Sequence, residues 1–533
     1  MENRMQQLKL VGAALTLAAG TLLLGCTKTE LSPGSGPAVA SSGVPADAAV
    51  DPGNADAAFN AFNNSFLVNT GGQTYYKSSV NDGTPEHTYL AALDIMLAED
   101  VYERTGRAAH KDLVNNLCNT FLQKLPTPWG YNGWNDDLGW YSMAMVRGYQ
   151  MTGTSKFLVA ARNGFDEAFA RGWDTRWNGG GIWEQQIEMV PSGEKINKEA
   201  LSNNTLGIVA CLIYQSNHDK WYLDQATQIY DWMRRTIYNT STGQVYTGVF
   251  QNGNIDYGEA VYNQGAFVDY ANLLYQITGN TSYYDDAKRS IDYVKNSPTL
   301  TTGGVISTDD GGHDTWADAF ARGLGHFVRD NRQWDAYYPW MAQNAGALWA
   351  NRRTDQNLTW NAWARPTPND NNMKSIKFVS AVAWLQFTPA TKPGAIAGVH
   401  TIVSKLGNMA VDNAGLTDNG TGIVQWGAGN NQNQKWNFTQ NEDGSWNIIS
   451  QQSWQALDVP NSNVVNGTQP VQWPSNRAAN QRWWVEAQAD GTYRIWSQVV
   501  GGGSLDNGST TTNGDKLLLW GWGGGDQQHW QLR

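Results

Sequence analysis

Three triplets near the C-terminus, Gln434-Lys435-Trp436, Gln481-Arg482-Trp483 and Gln528-His529-Trp530, set their tryptophans 47 residues apart in both intervals. Each copy repeats an aspartate 24 or 25 residues before its tryptophan, at Asp412, Asp458 and Asp506, and a further tryptophan ten before it, at Trp426, Trp473 and Trp520. Agreement at three offsets in three copies marks one structural unit used three times. A unit that short cannot bury its own apolar face, so the three must close against one another. Short β-like runs and many Gly and Asn residues beyond Thr388 make the unit β-type, and residues 396–533 are expected to form one all-β domain.

Between about Asn54 and Phe387 the pattern is helical instead. Twelve segments carry apolar residues at helical period, among them 55–68, 137–151, 314–329 and 374–387, separated by short breaks bearing Gly, Asn or Asp. In one of them Leu90, Leu93, Leu97 and Val101 fall on a single face. Tyr102–Gly106, Tyr149–Gly153 and Tyr275–Gly279 each read Tyr-x-x-Thr-Gly, where glycine is the left-handed cap that ends one helix and lets the chain return. Tyr214-Gln215-Ser216-Asn217 is a degenerate copy in which Asn217 is expected to take that conformation. Six such hairpins closing on themselves give an all-α (α/α)6 toroid over 54–388. An open helical solenoid is the other arrangement the pattern allows.

At the N-terminus, Arg4 and Lys9 precede an apolar run from Leu10 to Leu24 that stops at Leu23-Leu24-Gly25-Cys26. The run is short for a membrane span and reads as an export signal over 1–25. Its ending resembles a bacterial lipobox, which implies lipidation of Cys26 and a place on the cell envelope, at the outer membrane or cell surface. An ordinary secretory signal with a chance cysteine is the plainer alternative. Residues 26–53, rich in Ser, Pro, Gly and Ala, form a flexible tether. After the signal only Cys118 and Cys211 remain, too few for a disulfide framework or a cysteine metal site. A net charge of -11 argues against nucleic acid as a partner. Twenty-six tryptophans and twenty-two tyrosines supply flat rings suited to sugar faces, although many must also serve the core.

Trp134-Asn135-Asp136-Asp137-Leu138-Gly139-Trp140 leads into a segment where Leu138, Tyr141, Met145 and Tyr149 recur at helical spacing, so the two aspartates are expected in a loop at a helix start. Taken alone, they are a helix cap with favourable acids in the first turn. They are also what glycoside hydrolysis requires, one carboxylate to attack or activate water and one carboxyl to protonate the departing oxygen. Two acids so close cannot both ionise easily, which makes an acid and a base from one residue type. Consecutive α-carbons, about 3.8 Å apart, favour the short carboxyl separation of a retaining enzyme over the wider inverting gap. Trp134 and Trp140 are candidate walls of such a site.

The segment resembles glycoside hydrolase family 76, the endo-α-1,6-mannanases, in Asp136-Asp137 with Trp140 and Ala144, in Gly179-Gly180-Gly181-Ile182-Trp183, in Ala200-Leu201-Ser202-Asn203 and in Tyr262-Asn263-Gln264-Gly265. The resemblance implies the toroid, with Asp136 as nucleophile and Asp137 as general acid/base. It extends to sugar contacts from Trp134, Trp140, Gly180, Gly181, Trp183, Asn203, Tyr262, Asn263 and Gln264. By residue type alone, the glycines suit a tight turn as well as a close approach to sugar, and the asparagines suit helix capping. Glu184 stands where a second tryptophan is common, and Phe320-Ala321-Arg322-Gly323 only loosely matches the usual Phe-Lys-Gly stretch. Both departures bear on linkage and subsite preference more than on reaction class.

The C-terminal triplet resembles the ricin-type β-trefoil lectins. That implies one sugar site per repeat, from Asp412, Trp426 and Asn433, from Asp458, Trp473 and Asn480, and from Asp506 and Trp520, where Gln527 replaces the asparagine. The acidic run Asp309-Asp310-Gly311-Gly312-His313-Asp314 lacks the spaced glutamate of an EF-hand and reads as a solvated loop rather than a calcium site. No metal or nucleotide cofactor is implied.

The expectation is a monomeric, retaining, endo-acting α-1,6-mannanase held to the membrane through Cys26, with α-mannan as its polysaccharide partner. Three rivals stay open at this level. One is a mannan transglycosidase, and another is a non-catalytic glycan-binding surface lipoprotein. The third is a different toroid enzyme such as an uronyl hydrolase or a sugar epimerase, against which the seven unclustered histidines speak.

Overall fold

A computed structural model describes residues 50–189, 196–306 and 317–533. The export signal, Cys26, most of the tether and the 309–314 acidic run lie outside the described residues.

Twelve helices make up the first part of the described chain: α1 (Asn54–Phe66), α2 (Thr88–Thr105), α3 (Ala108–Lys124), α4 (Asn135–Thr152), α5 (Ser155–Gly172), α6 (Ala200–Asn217), α7 (Lys220–Thr236), α8 (Val261–Thr278), α9 (Thr281–Asn296), α10 (Ala317–Asp330), α11 (Trp334–Ala350) and α12 (Ile376–Phe387). The even-numbered helices form a ring in which α2 packs on α4, then α6, α8, α10 and α12 follow, and α12 returns to α2. That last contact closes the circle and selects the toroid over the open solenoid. Burial explains the division. From Ala200 to Ile213, α6 is buried without interruption and therefore sits inside, whereas α7 buries one face, Tyr222, Ala226, Ile229, Tyr230, Trp232 and Met233, and lies outside.

The two ends of the ring differ. Turns from inner to outer helices are short and cluster at one end, the floor. Gly106, Gly153 and Gly279 adopt the left-handed conformation there, and each N–H donates to the carbonyl of the tyrosine four residues earlier at 2.8 Å. In the fourth copy His218 takes that conformation rather than Asn217, with its N–H 2.8 Å from the Tyr214 carbonyl. The fixed quantity is the four-residue step from the tyrosine, so Asn217 stays helical. Connections from outer to inner helices are longer and gather at the opposite end, the mouth. They hold small ribbons that the helical period did not announce: β1 (Leu67–Thr70) with β2 (Gln73–Tyr76), β3 (Asn197–Glu199) with β4 (Gly248–Phe250) and β5 (Ile255–Asp256), and β6 (Thr301–Thr302) with β7 (Val305–Ile306).

A ladder of charges runs down the axis of the ring. Asp100 accepts from both Arg147 and Arg322 at 2.7 Å, and His326 lies 3.1 Å from Glu103 and 2.8 Å from Asp269. Burial opposes a charge on His326, yet the two carboxylates outweigh it and push its pKa up to about 9.

Each C-terminal repeat contributes four strands: β8 (Gly398–Ser404), β9 (Met409–Asp412), β10 (Val424–Gly427) and β11 (Lys435–Gln440); β12 (Trp446–Ser450), β13 (Ala456–Asp458), β14 (Val471–Trp473) and β15 (Trp483–Ala487); β16 (Tyr493–Ser497), β17 (Ser504–Asp506), β18 (Leu518–Trp520) and β19 (Trp530–Leu532). The first and last strands of the repeats pair in the cycle β8, β11, β12, β15, β16, β19 and back to β8, which closes a six-stranded barrel capped by three hairpins, the β-trefoil arrangement. Trp436, Trp483 and Trp530 fill its centre, and their indole N–H groups donate to the carbonyls of Val411, Leu457 and Leu505 at 2.9 to 3.0 Å. The trefoil seats on the toroid floor. Arg107 pairs with Glu442, Gln432 donates to the Gln276 carbonyl, Asn437 donates to Asp330, and the Arg477 guanidinium lies over the Tyr102 ring.

Candidate active site

Asp136 and Asp137 occupy the first turn of α4 itself, at the mouth, rather than a loop before it, and neither side chain caps the helix. Successive side chains on a helix are turned by about 100°, so adjacency alone does not set the carboxyl separation and the short-gap inference from α-carbon spacing loses its force. Their surroundings differ. One Asp137 oxygen accepts a 2.7 Å hydrogen bond from Asn132 and lies 3.4 Å from the Tyr141 hydroxyl. The Asp136 Oδ1 is buried and has no hydrogen-bond partner among the described residues. Burial raises the pKa of both. For Asp136 the charges of Asp137 and Glu199 add to it and hold the carboxyl well above the usual range. For Asp137 the donors Asn132 and Tyr141 and the charge of His87 pull part of the way back.

Two more acids reach the pair. The Asn135 N–H donates to the Glu184 carbonyl at 2.8 Å and the Glu184 N–H to the Asn197 carbonyl at 3.1 Å, which threads Glu184 between the start of α4 and β3. Glu199 is the residue immediately before α6. Burial, then the charges of Glu199 and Asp136, push Glu184 up to about 10. Glu184 therefore holds its proton at neutral pH. Glu184 stood out in the sequence only as a departure from a pattern, and nothing there marked Glu199, Asn132 or Tyr141 as neighbours of the pair.

The mouth is rimmed by exposed rings. Trp134, 43 % exposed, bridges to Gln185 beside the pair, while Tyr131, Trp177 and Tyr257 stand on the loops entering α4, α6 and α8. These three were missed because single aromatics in loops have no period.

Several expected sugar contacts serve the scaffold instead. Trp140, one helical turn below Asp136, is fully buried, so it lies under the floor of the site and not on its wall. Trp183 is also enclosed, its indole N–H donating to Asp174 and its ring lying under the Lys198 ammonium. Gly180 and Gly181 face Trp232, and a methyl on Gly181 would lie 2.4 Å from that ring, so they are turn residues fitted to packing. Asn203 grips both the N–H and the carbonyl of Ile182, at 2.9 and 3.1 Å, and Gln264 grips Val245 in the same way, at 3.1 and 2.9 Å. Both carboxamides clamp mouth loops to inner helices. Tyr262 and Asn263, in the first turn of α8, lie at the mouth end but are buried, and the Asn263 amide has no partner among the described residues.

In the trefoil, Trp426, Trp473 and Trp520 are 47 %, 45 % and 44 % exposed, each beside a buried aspartate. Asn433 donates to Asp412 at 2.8 Å and Asn480 to Asp458 at 2.8 Å. In the third repeat the donors to Asp506 are the Gly508 N–H and Gln528. A fourth repeat element had escaped notice. Gly420, Gly467 and Gly514, again 47 apart and each following an asparagine, lie against the exposed tryptophan of the next repeat, Trp473, Trp520 and Trp426 respectively. Each ring is thus bordered by two repeats.

Residues 55–393 match the family model for glycosyl hydrolase family 76, and residues 432–520 match that for ricin-type β-trefoil lectin domain-like sequences. Among solved structures, the family 76 α-1,6-mannanase of Salegentibacter sp. HEL1_6 is 24 % identical, with a TM-score of 0.56 over 63 % of this chain and 99 % of that one. An inactive variant of that mannanase with two aspartates replaced by alanine, in complex with α-1,6-mannotetrose, is 23 % identical, with a TM-score of 0.57 over 64 % and 99 %. The α-mannanase of Bacteroides thetaiotaomicron is 16 % identical, with a TM-score of 0.53 over 64 % and 98 %. A mannan endo-1,6-α-mannosidase of Candida glabrata is 31 % identical over 119 residues, 21 % of this chain, and the match spans only 26 % of that relative's length.

Proposed function

The chain belongs to glycosyl hydrolase family 76, and on that premise we propose that it hydrolyses α-1,6-linked mannan with Asp136 as nucleophile and Asp137 as general acid/base. One observation carries the reading: an acid pair at the mouth of a closed toroid, both members with raised pKa values, which favours retention of a proton for the departing oxygen. Asp137, fixed by Asn132 and Tyr141, stays in place while it gives and retakes that proton. The Asp136 Oδ1, buried and without a protein donor, would turn toward the anomeric carbon once a sugar lies in the cleft. Positive charge developing on the sugar favours the ionised form of Asp136. Attack by Asp136 followed by water yields retention of configuration.

The trefoil supplies polysaccharide binding through its three exposed tryptophans and raises the local concentration of substrate. Export and lipidation at Cys26 would hold both parts at the cell envelope.

The test is incubation of purified protein with linear α-1,6-mannan and with dextran, comparing wild type with Asp136→Asn and Asp137→Asn. Release of oligosaccharide from mannan by wild type alone is expected, with the α-anomer formed first by NMR. Release by either variant, or binding without release by wild type, overturns the reading.

A further inference from the structure

Beside the cleft, between the N-terminal half of α2, the last turns of α3 and the β1–β2 ribbon, lies a cavity of about 560 Å³ whose lining includes Tyr75, Tyr76, Leu90, Ala91, Asp94 and Phe121. We propose that it receives a mannosyl side branch of the backbone being cut, an inference that rests on mannan occupying the cleft.

Three observations converge. The first is position. The lining also includes His87 and Thr88. The charge of His87 acts on Asp137, and Thr88 hydrogen-bonds Tyr141, so the cavity wall continues to the catalytic pair without containing it. On the proposed reading a backbone strand lies across the ends of the inner helices, whereas this cavity leaves the ring sideways, between the inner α2 and the outer α3. A group entering it must therefore leave the backbone sideways too.

The second is chemistry. Asp94 is 1 % exposed and neither of its oxygens has a hydrogen-bond partner among the described residues. Buried polar groups are nearly always satisfied, so an unpartnered carboxyl just behind the lining of a cavity points to a ligand whose hydroxyl reaches it on entry. Burial, then the charges of Glu86 and Asp318, hold Asp94 well above the usual carboxylate range, which favours the protonated form, able both to donate and to accept.

The third is shape. The volume lies in the range of small-molecule sites, about 300–1,000 Å³. Aromatic walls with one deep polar group suit a pyranose, whose C–H face packs on rings while a hydroxyl finds the acid.

The experiment compares kcat/KM on linear α-1,6-mannan with kcat/KM on the same backbone carrying single mannosyl branches, for wild type, Ala91→Phe and Asp94→Leu. The first variant fills the cavity from a half-exposed helix position and the second keeps the shape of Asp94 while removing its donor and acceptors. Wild type is expected to cleave both polymers, and each variant to lower the branched-to-linear ratio by about tenfold, the worth of one lost buried contact. A wild type that rejects branched mannan, or a ratio unmoved in Asp94→Leu, overturns the inference while leaving the mannanase reading intact. A wild type inactive on linear mannan removes that reading and this inference with it.

Discussion

Gly323 on α10 lies against the backbone of Gly265 on α8, so closely that a methyl group at 323 would sit 2.3 Å from the Gly265 carbonyl oxygen. In the other direction, a methyl at 265 would meet the Phe320 Cα at 2.2 Å. Two inner helices therefore touch main chain to main chain, which lets six of them close into a ring. Neither neighbour is a flexible side-chain tip that can step aside. Gly265→Ala and Gly323→Ala are each expected to cost about 2–3 kcal/mol of unfolding free energy, read by chemical denaturation.

Tyr141→Phe removes a donor that holds the Asp137 pKa down. That pKa should rise further, so if Asp137 is the general acid, as proposed, it stays protonated to higher pH and the alkaline limb of the kcat/KM profile moves upward. A limb that stays put or moves down would contradict the placing of the proton on Asp137.

Because Glu184 stays neutral up to about pH 10, Glu184→Gln should leave the acidic limb of the same profile where it is. Glu184→Lys adds a positive charge beside Asp136, favours its ionised form, and should move that limb to lower pH.

The pKa of His326, about 9 in the folded chain, lies above the ~6.5 of an unfolded histidine. Its contribution is complete below the unfolded value and disappears as pH rises through the folded one. The shift corresponds to about 3 kcal/mol, so His326→Gln should destabilise by roughly that much near pH 6 and far less near pH 10. Thermal melts across that range provide the measurement.

Replacing Trp426, Trp473 and Trp520 by alanine one at a time should weaken retention on insoluble polysaccharide stepwise, with hydrolysis of short soluble oligosaccharides unchanged. The Trp520→Ala step should be smallest, since Asp506 lacks the asparagine partner of the other two. Pull-down on the polymer measures this directly.

The helical ring was legible because its signals are local. Tyr102, Tyr149 and Tyr275 sit four residues before glycines that must turn left-handed, and the one misplacement, Asn217 for His218, is a single step in that count. The trefoil was legible because it is written three times. The site was harder to read. The pair was visible as two adjacent acids, but Glu184 and Glu199 join it only through the pairing of strand segments far apart in sequence. Asn203 and Gln264 have the chemistry of sugar ligands, and only their targets, the backbones of Ile182 and Val245, show that they are clamps. Residue type reveals hydrogen-bonding capacity, and the fold decides what uses it.

The trefoil sits at the floor and the acid pair at the mouth, with the 18 residues of α4 between the two ends, roughly 27 Å at the rise of a helix. No single sugar ring can be shared by the two. On the proposed reading a strand gripped below would be a handhold and a strand lying above the one severed, so the molecule would stay fastened to a polymer network while it dismantled the neighbouring strands.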